Sequence, residues 1–205
     1  MIIKARHHWF FYPFFRRYSR WMPEWSFSKV RLHHSVGDRQ LPVLMIGNHI
    51  SWWDGFLAEY INHKVFRRRY HVMMLEEQLQ RYPFLKYVGA FSIKKNSRRL
   101  IESLNHSVDI LRSPENLLVL FPQGEIQTLY TPYFEFEKGL DYILKRAGDT
   151  QIIFNVNLVD YFSFRRPELS IYFEEYKSSS DPNFKTIERA FNEFAQRCKD
   201  RQGNE

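Results

Sequence analysis

Short apolar runs alternate along this chain with longer stretches in which apolar residues return every three or four positions. Val43 to Ile46 is long enough for one buried strand, and Leu117 to Phe121 is a continuous apolar run of the kind buried on both faces. Ser26 to His34 alternates loosely and reads as a first strand, with Gly37-Asp38-Arg39 as a turn towards the next. Tyr70–Leu75, Ala90–Lys95, Ile152–Val159 and Leu169–Phe173 complete the predicted strands. Between them lie helical patterns: about 53–62; 76–88, broken by Pro83 and stopped by Gly89; and a helix capped by Asn96 or Ser97 whose stripe is Leu100, Ile101, Leu104, Val108 and Leu111. Phe136, Leu140, Ile143, Leu144 and Ala147 predict a further helix over 134–147. Asp181 and Pro182 open the last, whose stripe of Phe184, Ile187, Phe191, Phe194 and Cys198 makes that cysteine a core residue. This alternation predicts one α/β domain over 26–205, preceded by a distinct segment at 1–25.

That segment is dense in rings: Trp9, Phe10, Phe11, Tyr12, Phe14 and Phe15, then Trp21 and Trp25, with Arg6, Arg16, Arg17 and Arg20 among them. No small-residue cleavage site follows it, so it does not read as a signal peptide. Bulky rings beside arginines suit a membrane interface, where cations meet anionic headgroups. The expectation is an interface arm that docks without spanning, on the cytoplasmic face of a membrane. An arm packed on the domain's own core is the competing reading. No run reaches the roughly 18 apolar residues of a spanning helix.

Charge strengthens the membrane reading. The 205 residues carry a formal net charge of +7, and aromatic residues make up 18%. Such a surface attracts an acidic membrane, an acidic carrier or nucleic acid. No nucleic-acid motif accompanies the charge, so nucleic acid is not an expected partner. A single cysteine excludes an internal disulfide and cysteine-based zinc sites, and the adjacent pairs His7-His8 and His33-His34 diverge on a strand, so no metal site is expected.

The candidate chemistry lies after the second predicted strand, in Gly47-Asn48-His49-Ile50-Ser51-Trp52-Trp53-Asp54. His49 leaves a strand end and Asp54 stands where the next helix begins. A carboxylate five residues on can hold one imidazole nitrogen protonated and leave the other to take a proton from a hydroxyl. His33 and Asp38 share this spacing, but no helix follows to fix that carboxylate.

Asn48-His49 with Asp54, then Gly89–Ile93 with Lys95, then Phe121-Pro122-Gln123-Gly124, then the strand from Ile152 fall in an order that resembles the glycerolipid acyltransferase superfamily, typified by 1-acylglycerol-3-phosphate acyltransferase. The resemblance covers roughly residues 40–160. It implies a mixed, mostly parallel sheet flanked by helices, and transfer of an acyl group from a thioester of coenzyme A or acyl-carrier protein to a hydroxyl, with no bound cofactor. His49 would be the base and Asp54 its orienting partner; Asn48, Lys95, Phe121, Pro122, Gln123, Gly124 and Glu125 would line the substrate site. Backbone N–H groups near Gly124 are candidate oxyanion donors.

The chain also departs from that pattern. Lys95 stands where arginine is usual, and Phe-Pro-Glu-Gly-Thr-Arg has become Phe121-Pro122-Gln123-Gly124-Glu125-Ile126. The catalytic half is intact and the phosphate-binding half is altered. A phosphomonoester is best held by arginine forks, so the expected acceptor is a lipid hydroxyl of another kind. The alternatives are a lysophosphatidic acid acyltransferase whose cations come from Lys94, Lys95 and Arg67–Arg69, a hydrolase using the same dyad, and a non-catalytic lipid-binding protein.

Overall fold

A computed structural model describes residues 2–95, 97–177 and 183–203. The expected caps at Asn96, Asp181 and Pro182 lie outside them. One seven-stranded sheet has the order β1-β7-β6-β2-β5-β3-β4, with β1 at Lys29–His34, β2 at Val43–Gly47, β3 at Arg69–Leu75, β4 at Ala90–Ile93, β5 at Asn116–Leu120, β6 at Gln151–Asp160 and β7 at Glu168–Glu175. Strands β2 to β6 all run one way; β7 is antiparallel to β6, and β1 is parallel to β7. The sheet is thus mixed and mostly parallel, and its catalytic end is the carboxyl end of β2–β6.

Helices cover both faces. Leu44, Ile46, Phe91, Leu118 and Leu120 point into the core beneath α4 (Arg99–Ile110), α5 (Gly139–Leu144) and α6 (Phe184–Gly203). Their neighbours Val43, Met45, Leu117 and Val119 point the other way, into a second core beneath α1 (Phe11–Ser26) and α2 (Asp54–Ile61). Central strands buried on both faces need side chains that are apolar at every position, which is why β2 and β5 read as unbroken runs. The remaining helix, α3, spans Glu76–Arg81 and passes into a 3₁₀ turn at Pro83–Tyr87, the break that Pro83 forces.

Three expectations change. The strands on either side of Gly37-Asp38 are not a hairpin: β1 lies at the sheet edge beside β7, and β2 lies at the centre. The helix expected from Phe134 begins only at Gly139, because the backbone N–H groups of Phe134 and Phe136 donate to side chains of α6, Asn192 Oδ1 and Glu188 Oε2, both at 2.7 Å. The aromatic arm is largely helix α1, laid against the domain. Its buried positions, Phe15, Ser19, Met22 and Pro23, are spaced for one helical face, and Pro13 falls in the first turn, where a missing N–H costs nothing.

Phe15 therefore does not belong to an outward interface, while Arg16 stays part-exposed beside Trp9, Phe10, Phe14 and Arg17. The Phe15 ring packs on Phe56 at 5.2 Å between centroids, and Arg16 Nε lies 3.2 Å from Glu59 Oε1 on α2. Burial of Glu59 raises its pKa to about 7, against the opposing pull of Asn62 and Arg16. Trp9, Phe10, Phe14, Trp21 and Trp25 remain exposed, with Arg17 stacked over Trp21 at 4.5 Å. No helix among the described residues is long and apolar enough to cross a membrane.

Candidate active site

Two loops at the carboxyl ends of adjacent strands, β2 and β5, make the site. Gly47 is the last residue of β2, and a Cβ there would meet the Phe121 ring at 3.0 Å. Asn48 follows, buried, with its Nδ2 donating to Asn157 O at 3.0 Å and its Oδ1 accepting from Asn157 N at 2.9 Å. Both amide atoms are engaged by the β6 backbone, so Asn48, expected to line the substrate site, pins the loop.

His49 comes next, with Nδ1 2.9 Å from Asp54 Oδ2. The same oxygen accepts from Ile50 N at 2.7 Å and Ser51 N at 2.8 Å, and Oδ1 accepts from Ser51 Oγ at 3.0 Å. Surrounded by donors and standing first in α2, where the helix dipole favours negative charge, Asp54 acts as acceptor. Nδ1 is then the donor and carries the hydrogen, a tautomer assigned from this network, which leaves Nε2 as the basic nitrogen. Ser51 is a helix-start residue here: its Oγ also accepts from Trp53 N at 3.2 Å. The competing pair is dispersed, since Asp38 is bonded by Arg68, and His33 stacks on Tyr172.

The second loop supports the first. The Phe121 ring stacks on His49 at 4.5 Å and 16°. Gln123, buried, accepts from His49 N at 2.7 Å and donates to Gln127 Oε1 at 2.8 Å, while Gln127 N donates to His49 O at 2.8 Å. Gln123 thus holds both the catalytic loop and its own. Gly124 adopts a left-handed φ of 72° that disfavours a side chain, and a Cβ there would collide with Lys95 Nζ. Its N–H donates to Phe121 O at 3.0 Å, so Gly124 itself is not a free oxyanion donor.

Lys95 is brought into the site, but its Nζ is 2.7 Å from Glu137 Oε1. Glu125 and the half-exposed Ile126 line the same cavity. The Arg67–Arg69 cluster is not brought there. It precedes and opens β3 at the opposite end of the sheet, where Arg68 pairs with Asp38 and Arg69 bonds His7.

His49 opens onto a cavity of about 1140 Å³ that reaches both faces of the sheet. One side runs past Phe56, Val72, Leu85 and Val88; the other runs past Ile93, Leu104, Leu120 and Leu140. Pro122, Gly124, Glu125, Lys95 and Trp52 also line it, with Arg81 of α3. Sequence reasoning passed over Glu137, Gln127, Trp52 and Arg81. Glu137 had no signal at all, since only the fold sets it beside Lys95.

The sequence model of the Acyltransferase family matches residues 29–156, well over half of the chain. No curated protein matches by sequence. Among solved structures, the crystal structure of the 1-acyl-sn-glycerophosphate (LPA) acyltransferase PlsC from Thermotoga maritima superposes with a TM-score of 0.58 at 15% identity, over 91% of this chain and 79% of that one. At that identity the likeness is one of fold.

Proposed function

From the premise that this chain belongs to the acyltransferase family, we propose that it moves a fatty acyl group from an acyl thioester, acyl-CoA or acyl-carrier protein, to a hydroxyl of a lipid acceptor that is not a simple phosphomonoester. The observation that carries the reading is a His–Asp pair with every Asp54 oxygen occupied, set at the mouth of a large apolar cavity.

In the reaction, His49 Nε2 takes the acceptor's hydroxyl proton as its oxygen attacks the thioester carbonyl. The C–S bond of the tetrahedral intermediate then breaks, and the imidazolium returns that proton to the departing thiolate. Asp54 keeps the ring oriented and stabilises its transient charge. Lys95 Nζ, which lies over Gly124, is the nearest cation to the loop that would face the oxyanion. The apolar cavity accommodates hydrocarbon of donor and acceptor.

The acceptor assignment rests on local charge. With Lys95 paired to Glu137, Glu125 in the same lining and Ile126 in place of an arginine, a dianionic phosphate meets an ion pair and a carboxylate rather than an arginine fork. The far-end arginines do not restore one. Lysophosphatidic acid as acceptor is the second reading, favoured by Lys138 and Arg81 near the mouth. Purified protein incubated with labelled acyl-CoA and equal amounts of lysophosphatidic acid and an uncharged monoacyl lipid alcohol decides between them. Label in the uncharged lipid is expected; preferred labelling of lysophosphatidic acid refutes the assignment, and labelled free acid alone points to a hydrolase.

Docking of α1 on an anionic membrane belongs to the same proposal. Its outer rings and arginines form an interfacial face of the kind that binds headgroups, and binding of this type weakens with salt.

A further inference from the structure

The β6–β7 hairpin runs on past the end of its neighbour β2, with β1 alongside β7 as far as the Lys29–Glu168 pair. Strand β2 ends where Gly47 pairs with Asn155, yet β6 continues through Val156 to Asp160, paired to β7 as far as Asp160–Glu168. Those five further residues carry the hairpin roughly 17 Å beyond the end of β2, at a strand rise of about 3.4 Å per residue. The overshoot is at the catalytic end, the same end at which the loop bearing His49 leaves β2.

What the hairpin presents there is unlike an ordinary turn. The connection is Tyr161-Phe162-Ser163-Phe164-Arg165-Arg166-Pro167, with Tyr161 62%, Phe162 55% and Phe164 53% exposed. Phe162 holds a left-handed φ of 43°, a conformation for which glycine or asparagine is the ordinary choice and a bulky aromatic an outlier. Phe164 N donates to Tyr161 O at 2.9 Å and closes the turn, so all three rings are carried by one tight bend of the backbone. The turn contains no acid and two arginines.

The tip also continues the outer face of α1. Arg166 Nη1 donates to Trp25 O at 2.8 Å, and Ser28 N donates to Pro167 O at 2.9 Å, which fastens the turn to the end of α1, where Trp25 is 80% exposed. Trp52 and Trp53, beside His49, are part-exposed at the same end of the sheet. Exposed aromatic groups in this number, arranged around one end with Arg165 and Arg166, match a surface with hydrocarbon beneath anionic headgroups.

We propose that the β6–β7 turn enters an anionic bilayer as a second anchor, separate from α1, and that the two anchors together face the catalytic end of the sheet towards the lipid. The cavity mouth then opens where a lipid hydroxyl can reach His49 without leaving the membrane. The anchor adds to the docking of α1 and fails separately from it.

The test uses the full chain with Cys198, which is buried, replaced by serine. Phe164→Cys carries an environment-sensitive fluorophore at the tip, and Arg112→Cys carries it at the opposite end of the sheet. Vesicles of phosphatidylcholine with 30% phosphatidylglycerol are the probe, a fraction chosen as roughly that of an anionic membrane. A blue shift is expected at position 164 and not at 112. In flotation, Tyr161→Ser/Phe162→Asn/Phe164→Ser should lower the partition coefficient at least about tenfold at unchanged Tm, the loss expected when even one ring leaves hydrocarbon. Vesicle binding without a shift at 164 would leave α1 as the sole anchor and overturn the proposal. So would no binding at all, or a dimer broken by the tip substitutions, which would make the turn a contact between copies.

Discussion

The two loops of the active site differ in how much freedom their side chains have. In the loop after β2, Asp54 is fully buried and accepts from His49, Ile50 and Ser51, so each polar atom has one place to be. In the loop after β5, only Gln123 is fixed in that way; Glu125 and Ile126 face solvent, and Lys95 reaches Glu137 across a part-exposed pair. Rigidity is concentrated around the His49–Asp54 pair, and the departures from the family pattern are concentrated in the freer loop; under the proposed function the first places the proton-transfer groups and the second faces the acceptor.

That contrast can be broken at several points. The largest effect belongs to His49→Ala, which should lower transfer by about 10²–10⁴-fold with an unaltered circular dichroism spectrum, the usual loss on removing a positioned base. Asp54→Asn should follow, lowering kcat by about 10²-fold and also stability, by about 1–2 kcal/mol, because backbone donors at Ile50 and Ser51 exchange a charged acceptor for a neutral one; turnover and thermal melting measured together separate the two effects. Gln123→Ala releases His49 N and Gln127 at once and should lower kcat about tenfold, roughly 1.4 kcal/mol of barrier, with little change in KM. In the freer loop, Glu137→Gln frees Lys95 and should improve use of lysophosphatidic acid relative to an uncharged acceptor by only roughly two- to fivefold, the scale of a part-exposed ion pair. Smallest of all, Arg67→Gln should change either acceptor's kcat/KM by less than about twofold, because the strand separating it from the site is longer than the screening distance of about 10 Å.

What could be read in the sequence follows the range of the interactions. His49 and Asp54 are five positions apart, joined by a strand end and a helix start, so local pattern exposes them. The double-sided burial of β2 and β5 is likewise visible in their unbroken apolar runs. Glu137 is 42 residues from Lys95 in the chain, and nothing in the helical spacing around it marks a partner. That spacing also misled over 134–147, where Phe134 and Phe136 are periodic but their backbone is held by α6 instead of by its own helix. In α1 the rings announced an interface, yet only the fold divides Phe15, turned inward to Phe56, from the rings that remain outside.

The leading residues of the chain have a consequence of another kind. Ile3 N donates to Ser92 Oγ at 2.8 Å, Ser92 N donates to Ile3 O at 2.8 Å, and His7 bridges to Val88, so this stretch lies along the outer side of β4. β4 is the last strand of the sheet, and a bare strand edge is a template on which other chains can pair. Residues 2–8 act as a selvedge, the finished border that keeps a woven edge from catching on its neighbour. Cutting them away would leave the dyad untouched and expose Ala90–Ile93 to self-association, so solubility rather than turnover is the property they guard.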